Sequence, residues 1–138
     1  MDIEQAFDQY GPRLFAYLRR LGLSIEDSED GVSEIFLRAM KSRIDWEQPS
    51  SYLYKIGYHL AMDLFRKPKI EPIIDTNIGC KDNYEDDFLK PLSLEEKSIV
   101  LMLYQEKFSY DEISKITNKP VGTLKSLVHR AKEKIKDE

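Results

Sequence analysis

Apolar residues recur at steps of three and four along most of the chain, with one clear interruption in the middle. In the amino-terminal segment this spacing links Ile3, Phe7, Tyr10, Leu14, Leu18 and Leu21. Such steps place side chains on one face of an α-helix, and no alternating run of useful length predicts a strand. Gly11-Pro12 is expected to kink or restart this helix, and Gly22 to mark its end. The pattern predicts an all-α protein.

Two further helices are predicted before the interruption. Ser24 suits the start of the second helix, because a cluster of acidic residues follows it, where unpaired backbone N–H groups favour negative charge. The predicted inner stripe of this helix is Val32, Ile35, Phe36, Ala39 and Met40. Ser50 or Ser51 can cap a third helix that stops near Lys67-Pro68. Its predicted inner face is Leu53, Ile56, Leu60 and Leu64.

The helical pattern fails between residues 68 and 91. This stretch holds three prolines, polar turn formers and the acidic run Glu85-Asp86-Asp87. It predicts a flexible linker between two small helical domains, residues 1–67 and 92–138. The single cysteine, Cys80, lies in this linker, so an internal disulfide and a multi-thiolate metal site are excluded. A passive thiol is the ordinary interpretation of Cys80, and a redox sensor is the alternative.

The pattern of the second domain predicts a helix-turn-helix. Ser93 with Glu96 and Ser109 with Glu112 match the reciprocal capping pattern, so helices are expected over 94–105 and 110–116. A break at residues 117–120 precedes a last helix, whose first turn suits Pro120. The buried stripe of that helix is Val121, Leu124, Val128, Ala131 and Ile135, and the opposite side holds Thr123, Ser126, His129, Arg130 and Glu133. A short helix, a turn and an amphipathic helix can place the second helix in the DNA major groove. A plain solvated helix in a small bundle is the alternative.

The charge of the last helix, considered separately from that of the whole chain, supports nucleic-acid binding. The whole sequence has a formal net charge of -4, but residues 119–136 carry six basic side chains against Glu133 alone. A basic stripe on one helix can bind phosphates whatever the total charge. With 41% hydrophobic residues, no long apolar run and no basic, apolar amino terminus, we expect a soluble cytoplasmic protein without a signal peptide or membrane insertion.

The motifs resemble those of extracytoplasmic-function sigma factors of the sigma-70 superfamily. Residues 108–116 and 120–131, FSYDEISKI and PVGTLKSLVHRA, resemble the region-4 helix-turn-helix of that family. Residues 29–39, EDGVSEIFLRA, and residues 52–66, YLYKIGYHLAMDLFR, resemble two segments of its region 2. The resemblance covers nearly everything except the linker. Leu127 stands where the family commonly has arginine, and His59 stands where it usually has asparagine.

The resemblance implies two surfaces that bind promoter DNA and a third that binds RNA polymerase. Region 4 is expected to read the double-stranded minus-35 promoter element through Lys119, Thr123, Lys125, Ser126, His129 and Arg130. Region 2 is expected to capture the partly single-stranded minus-10 element through Trp46, Gln48, Ser50, Lys55, Tyr58, His59, Met62 and Arg66. The helical periodicity places several of these, including Tyr58, toward solvent, where aromatic rings can stack on bases and cations can follow phosphates.

The expected partners are core RNA polymerase, promoter DNA and an anti-sigma protein, without a cofactor or metal. The polymerase contacts are expected at Asp30, Glu34, Arg38 and Lys41 on the second helix. Two other functions compete with that of an alternative sigma factor. A helix-turn-helix regulator would bind DNA without polymerase. An enzyme is disfavoured, because no glycine-rich phosphate loop, nucleophile elbow or metal-ligand cluster is present.

Overall fold

The computed structural model describes residues 2–66 and 89–136, and all regular secondary structure within them is helical. The predicted all-α class is confirmed. The elements are α1 (Ile3–Leu21), α2 (Ile25–Lys41), α3 (Ser50–Arg66), α4 (Leu94–Val100), a π-helical turn (Leu101–Gln105), α5 (Tyr110–Thr117) and α6 (Val121–Lys136). Most of the predicted linker, including Cys80, lies outside the described residues.

Local capping chemistry sets most of the helix ends. Gly22 ends α1 in the left-handed region at φ 114°, and the Ser24 side chain accepts a hydrogen bond from the Asp27 backbone N–H at the start of α2. Both predictions are confirmed. The predicted restart at Pro12 is wrong, because α1 runs through this residue. Proline removes only one backbone donor, and the packing of α1 on α2 and α3 holds the helix together.

The start of α3 also differs from the prediction. The helix begins at Ser50, and the Pro49 carbonyl accepts the backbone N–H of Leu53 at 2.9 Å. Neither Ser50 nor Ser51 therefore precedes the helix as a cap. Pro49 already occupies that position, where its own missing N–H has no intrahelical partner to lose.

The second domain follows its predicted caps closely. Ser93 and Glu96 form a reciprocal capping box at the start of α4, and Ser109 and Glu112 form another at the start of α5. The predicted helix 94–105 is interrupted, since its last five residues form a π-helical turn. This turn ends where the Glu106 N–H donates to the Leu101 carbonyl at 3.1 Å.

Most residues of the predicted apolar stripes form the core or pack against it, but Val121 is only partly buried and lies outside it. Phe7, Met40 and Leu64 are 45%, 58% and 40% exposed, so their predicted burial is wrong. Phe7 lies at the edge of the α1–α2 contact, with its ring centroid 4.9 Å from that of Phe36. Leu64 is displaced from the core because α3 turns Leu53, Gly57 and Ala61 inward instead.

The two domains pack directly on each other. Helix α3 contacts α1 and α2 on one side and α5 on another, and α1 also contacts α4. Tyr54 on α3 is fully buried between the rings of Tyr17 and Phe108, at centroid distances of 5.2 and 5.3 Å. Buried side chains of both domains consequently belong to one continuous core.

Candidate nucleic-acid and polymerase interfaces

One face of α6 presents the predicted minus-35 residues to solvent. The side chains that the periodicity places outward are all exposed: Thr123, Lys125, Ser126, His129 and Arg130. Leu124, Val128 and Ala131 on the opposite face are at most 3% exposed. The predicted amphipathic division of this helix is confirmed, and its outer face can approach a groove or a phosphate backbone without disturbing the core.

A tight turn fixes the angle between α5 and α6. Asn118 caps α5 in the left-handed conformation at φ 62°, which asparagine tolerates better than most residues. The Ser114 hydroxyl donates to the Lys119 carbonyl at 2.6 Å, and the Leu124 N–H donates to the Pro120 carbonyl at 3.1 Å. The α6 helix begins just after Pro120, one residue later than predicted. These contacts hold the exposed face of α6 at a defined orientation.

Aromatic rings flank the basic side of α6. The Lys125 ammonium lies 5.7 Å from the Tyr110 ring centroid, and the Lys132 ammonium lies 5.8 Å from that of Tyr104. Contact with the Tyr104 hydroxyl raises the pKa of Lys132 above its usual value. Lysine ammonium groups over ring faces are attracted by the ring quadrupole, which limits their freedom. Sequence patterns did not single out Tyr104 or Tyr110 as neighbours of the basic stripe.

Lys119 differs from the other predicted minus-35 residues. Its ammonium pairs with Glu95 at 2.8 Å, and its side chain is only 28% exposed. The residue lies in the turn before α6, so it can reach a phosphate only by exchanging Glu95 for that new partner.

Leu127 is buried in the core of the second domain. Its side chain is 7% exposed, although helical periodicity places it beside the predicted stripe and not within it. A leucine at the position where the resembling family commonly has arginine therefore adds to packing in this chain. The departure exchanges a charged group for apolar contact area.

The predicted minus-10 residues gather around the start and the outer side of α3. Gln48 and Arg66 are exposed, and five others are partly buried: Trp46, Ser50, Lys55, His59 and Met62. Trp46 and Met62 pack against the core. Arg66 also pairs with Asp63 at 3.4 Å. The surface thus combines aromatic, amide and basic groups, as single-strand binding requires.

Tyr58 is the clear correction in this set. The expectation that it faces solvent is wrong, because it is 3% exposed on the side of α3 that the second domain covers. Burial, together with the Glu95 carboxylate, raises the pKa of Tyr58 to about 12. The His59 ring stands edge-on to Tyr58 at 5.1 Å. The helical periodicity of α3 was interpreted within the first domain alone, so it could not predict that the second domain buries Tyr58.

The predicted polymerase residues form a polar strip along α2. Asp30, Arg38 and Lys41 are exposed, and Glu34 is partly buried. The Arg38 Nε donates to Glu34 at 2.8 Å, one helical turn away. The four residues are three or four positions apart in the sequence, so they lie on adjoining turns of one helix.

An apolar groove beside this strip was missed by the sequence analysis. It lies between α1 and α2, has a volume of about 410 Å³, and includes Phe7, Leu37 and Met40 among its lining residues. Leu37 and Met40 are 51% and 58% exposed. The sequence does contain a signal for this groove. Leu37 directly follows the buried Phe36, and Met40 directly follows the buried Ala39, so the apolar face of α2 is wider than its buried stripe.

Within residues 2–66 and 89–136, no cluster of three or more His, Cys, Asp or Glu side chains is arranged to hold a metal ion. Over the same ranges, no helix has both the length and the apolarity that crossing a bilayer demands.

Comparison with known proteins identifies the family. The profile described as Sigma-70 region 2 matches residues 6–69, and the profile described as Sigma-70, region 4 matches residues 86–135. The chain is 25% identical to the ECF RNA polymerase sigma factor SigW of Bacillus subtilis (strain 168), covering 94% of this chain and 84% of SigW. This chain is an extracytoplasmic-function sigma factor of the sigma-70 family.

Other similar proteins agree with this assignment. The sigma factor is 29% identical to the RNA polymerase sigma factor SigV of the same Bacillus subtilis strain, over 77% of this chain and 72% of SigV. Its fold resembles that of RpoE from Bartonella quintana, solved in complex with the anti-sigma factor NepR. The TM-score is 0.73 at 19% identity, covering 97% of this chain and 94% of RpoE. As an alternative sigma factor it directs transcription with RNA polymerase at promoter DNA, within a family of non-enzymatic initiation factors.

Proposed function

We propose that α6 reads the minus-35 element in the major groove. The observation that carries this proposal is the division of α6, whose polar and basic residues share one exposed face while its apolar residues are buried. Arg130 is the strongest candidate for base contact, because a guanidinium can bind a guanine edge through two hydrogen bonds. Lys125 and Lys119 then serve the phosphate backbone, which positions the helix without reading sequence.

The first domain captures the minus-10 element as single-stranded DNA. Trp46 and His59 supply ring faces, Gln48 and Ser50 supply hydrogen-bonding groups, and Lys55 supplies a cation near the start of α3. Stacking on a ring contributes about 1 to 3 kcal/mol per base. Unstacking a duplex step costs a few kcal/mol. Two or three occupied positions therefore offset the unstacking of one or two base-pair steps, and the outer residues Met62 and Arg66 extend the same path.

Polymerase binds at α2. The strip of Asp30, Glu34, Arg38 and Lys41 supplies charges of both signs, which select an orientation more than they add affinity. The exposed Leu37 and Met40 lie beside it and supply the apolar area that interfaces need at their centre. All chemistry on nucleotides belongs to the polymerase, so this chain needs no catalytic residue or cofactor of its own.

The remaining assignments concern organisation and regulation. Residues 1–67 form the polymerase and minus-10 domain, residues 68–91 the linker, and residues 92–138 the minus-35 domain. The chain acts in the cytoplasm, where its polymerase partner is. An anti-sigma protein restrains it, a proposal supported by the likeness to RpoE in its complex with NepR.

Run-off transcription with purified core polymerase on a genomic promoter library tests the function. We expect specific transcripts only when this chain is added, and co-purification with core polymerase at low salt. Binding of the same promoters without any association with polymerase would instead identify a helix-turn-helix regulator. Failure in both assays rejects the proposal.

Arg130→Ala tests the minus-35 assignment separately. We expect weaker promoter binding by about 1 to 3 kcal/mol, because one bidentate base contact is lost. Arg130→Lys is the matched variant, since it keeps the charge and loses the planar fork. Footprinting and transcription measure both. An unchanged footprint for Arg130→Ala contradicts the assignment, and full rescue by lysine reduces Arg130 to a phosphate contact.

A further inference from the structure

The basic side chains between residues 119 and 136 differ in the groups that hold them. Lys119 pairs with Glu95 and Lys134 pairs with Glu96, each with 2.8 Å between the ammonium nitrogen and a carboxylate oxygen. Both carboxylates belong to the first turn of α4. A carboxylate cancels most of the charge that a lysine presents to a second anion, so a phosphate must displace it before it can bind.

Lys125 and Lys132 lie beside tyrosine rings instead. The Lys125 ammonium is 5.7 Å from the Tyr110 ring centroid, and the Lys132 ammonium is 5.8 Å from that of Tyr104. Both lysines are exposed. An uncharged ring attracts an ammonium group through its quadrupole and leaves the full positive charge in place. These two lysines therefore present their charge to an anion that arrives from solvent.

Lys132 and Tyr104 together offer two hydrogen-bond donors at one place. Contact with the Tyr104 hydroxyl is the largest of the effects that raise the pKa of Lys132, so the ammonium lies close to that hydroxyl. A tyrosine oxygen can accept a hydrogen bond from an ammonium group and still donate its own proton. Tyr104 is 52% exposed, so this proton can reach a group in solvent. One charged donor and one neutral donor side by side suit the oxygens of a phosphate.

The position of Lys132 on α6 directs this pair toward a DNA backbone. Seven residues make almost two full helical turns, so Lys125 and Lys132 leave the helix in nearly the same direction, about 10 Å apart along its axis. Lys134 is rotated by about 200° from Lys132 and lies on the opposite edge. Recognition helices contact base edges with their N-terminal residues. Lys132, three turns after the start of α6, is therefore placed to meet phosphates and not bases.

We propose that Lys132 and Tyr104 form a binding site for a backbone phosphate of promoter DNA, on the same edge of α6 as Lys125. The site lies outside the residues that the family resemblance assigns to DNA, and the inference rests on the proposed minus-35 function of α6. The Lys132 ammonium supplies the charge, and the Tyr104 hydroxyl orients it and adds a neutral hydrogen bond. Because phosphate contacts position a helix without reading sequence, this pair helps to fix the orientation in which Arg130 meets the bases.

The salt dependence of binding counts phosphate contacts. On duplex DNA the logarithm of the association constant falls against the logarithm of salt concentration with a slope of about 0.9 for each neutralised phosphate. We expect Lys132→Gln to reduce this slope by about 0.9 and to weaken binding about eightfold at 0.1 M salt relative to 1 M. Lys132→Arg keeps the charge, so we expect it to keep the slope. An unchanged slope for Lys132→Gln rejects the site.

Lys134→Gln is the matched control. It removes the same charge from the same helix, on the opposite edge, where Glu96 already pairs with the lysine. We expect its slope to stay within about 0.3 of that of the native chain. Urea unfolding followed by circular dichroism checks that each variant is folded under the conditions of the binding assay. If Lys134→Gln lowers the slope as much as Lys132→Gln does, the effect is one of total charge, and the site is overturned.

Tyr104→Phe tests the hydroxyl, because it keeps the ring. We expect binding to weaken about two- to tenfold, the size of one neutral hydrogen bond. The salt slope should not change, since the charge of Lys132 remains. In a chain that already carries Lys132→Gln, the same substitution should have a smaller effect, because the two groups hold one phosphate. Fully additive effects would show that they act separately and would reject the shared site.

Comparison of two duplexes separates this inference from the function beneath it. One duplex carries the minus-35 region of a promoter found by run-off transcription and the other an unrelated sequence, and the full chain binds each with core polymerase. We expect Lys132→Gln to weaken both complexes and Arg130→Ala to weaken mainly the promoter complex. If only Arg130→Ala has an effect, the phosphate site is rejected and the minus-35 function stands. If only Lys132→Gln has an effect, the phosphate site stands and base reading by Arg130 is rejected. If neither has an effect, both proposals fail.

Discussion

Gly31 provides a sharp test of how tightly the first domain is packed. A Cβ atom added there would lie 2.8 Å from Leu18 Cδ1 and 3.8 Å from Leu60 Cδ2. The first distance is shorter than a van der Waals contact, and Leu18 is completely buried, so its side chain has little room to move. Gly31 thus lies where α1 packs closely on α2.

Gly31→Ala sets two effects against each other. Replacing glycine by alanine inside a helix stabilises by about 0.5 to 1 kcal/mol. Overpacking a well-filled core costs about 1 to 3 kcal/mol. We therefore expect net destabilisation of about 1 kcal/mol, with the clash against Leu18 deciding the sign.

Gly122→Ala is the control, because a Cβ added there meets nothing within 4 Å. It keeps only the helix-propensity gain, so we expect stabilisation by about 0.5 to 1 kcal/mol. Urea unfolding followed by circular dichroism measures both variants, with an unchanged slope required for the comparison. If Gly31→Ala is as stable as Gly122→Ala, the close approach of α1 and α2 is refuted.

Two further predictions concern the second domain. Leu127→Arg restores the residue common in the family, but it should lower the free energy of unfolding in urea by about 1 to 2 kcal/mol, because it removes buried apolar area. The control Ser126→Arg, on the exposed face of the same helix, should change that free energy by less than about 0.5 kcal/mol. Equal effects of the two substitutions would contradict the burial of Leu127. Burial alone would raise the pKa of Glu96, but hydrogen bonds from Lys134 and Ser93 bring it below its usual value of 4.5. The contribution of the Glu96 carboxylate to the free energy of unfolding is therefore present above pH 4.5 and is lost as pH falls through the lower folded-state pKa. The urea midpoint should drop on acidification below pH 4.5, and Glu96→Gln should flatten that drop.

Helix ends and the α6 face could be predicted because their causes are local. A capping box needs only two residues three positions apart, as at Ser93 and Ser109, and a left-handed end needs only a residue such as Gly22. The outer face of α6 follows from period alone, since that helix packs on one side. The assignment of DNA contacts to this face stays a prediction, as do the minus-10 and polymerase residues.

Burial between the domains could not be predicted in the same way. Helix α3 lies between two layers and buries two faces, so a single apolar stripe describes it incompletely. Tyr58 is polar enough to pass as a surface residue, and its burial depends on where the second domain packs. The groove beside Leu37 and Met40 was missed for the converse reason, because apolar side chains next to a core stripe are readily counted as core.

The π-helical turn at Leu101–Gln105 has a consequence for tolerance to deletion. Such a turn accommodates one residue more than an α-helical turn does. Removing a single residue from it would leave an ordinary α-helical turn, and the residues that follow would keep about the same direction around the axis. Glu106, which pairs with Arg13 on α1, would then still face α1. The chain should therefore accept a one-residue deletion in this turn more readily than one inside a regular stretch of helix, where every following side chain would be rotated by about 100°.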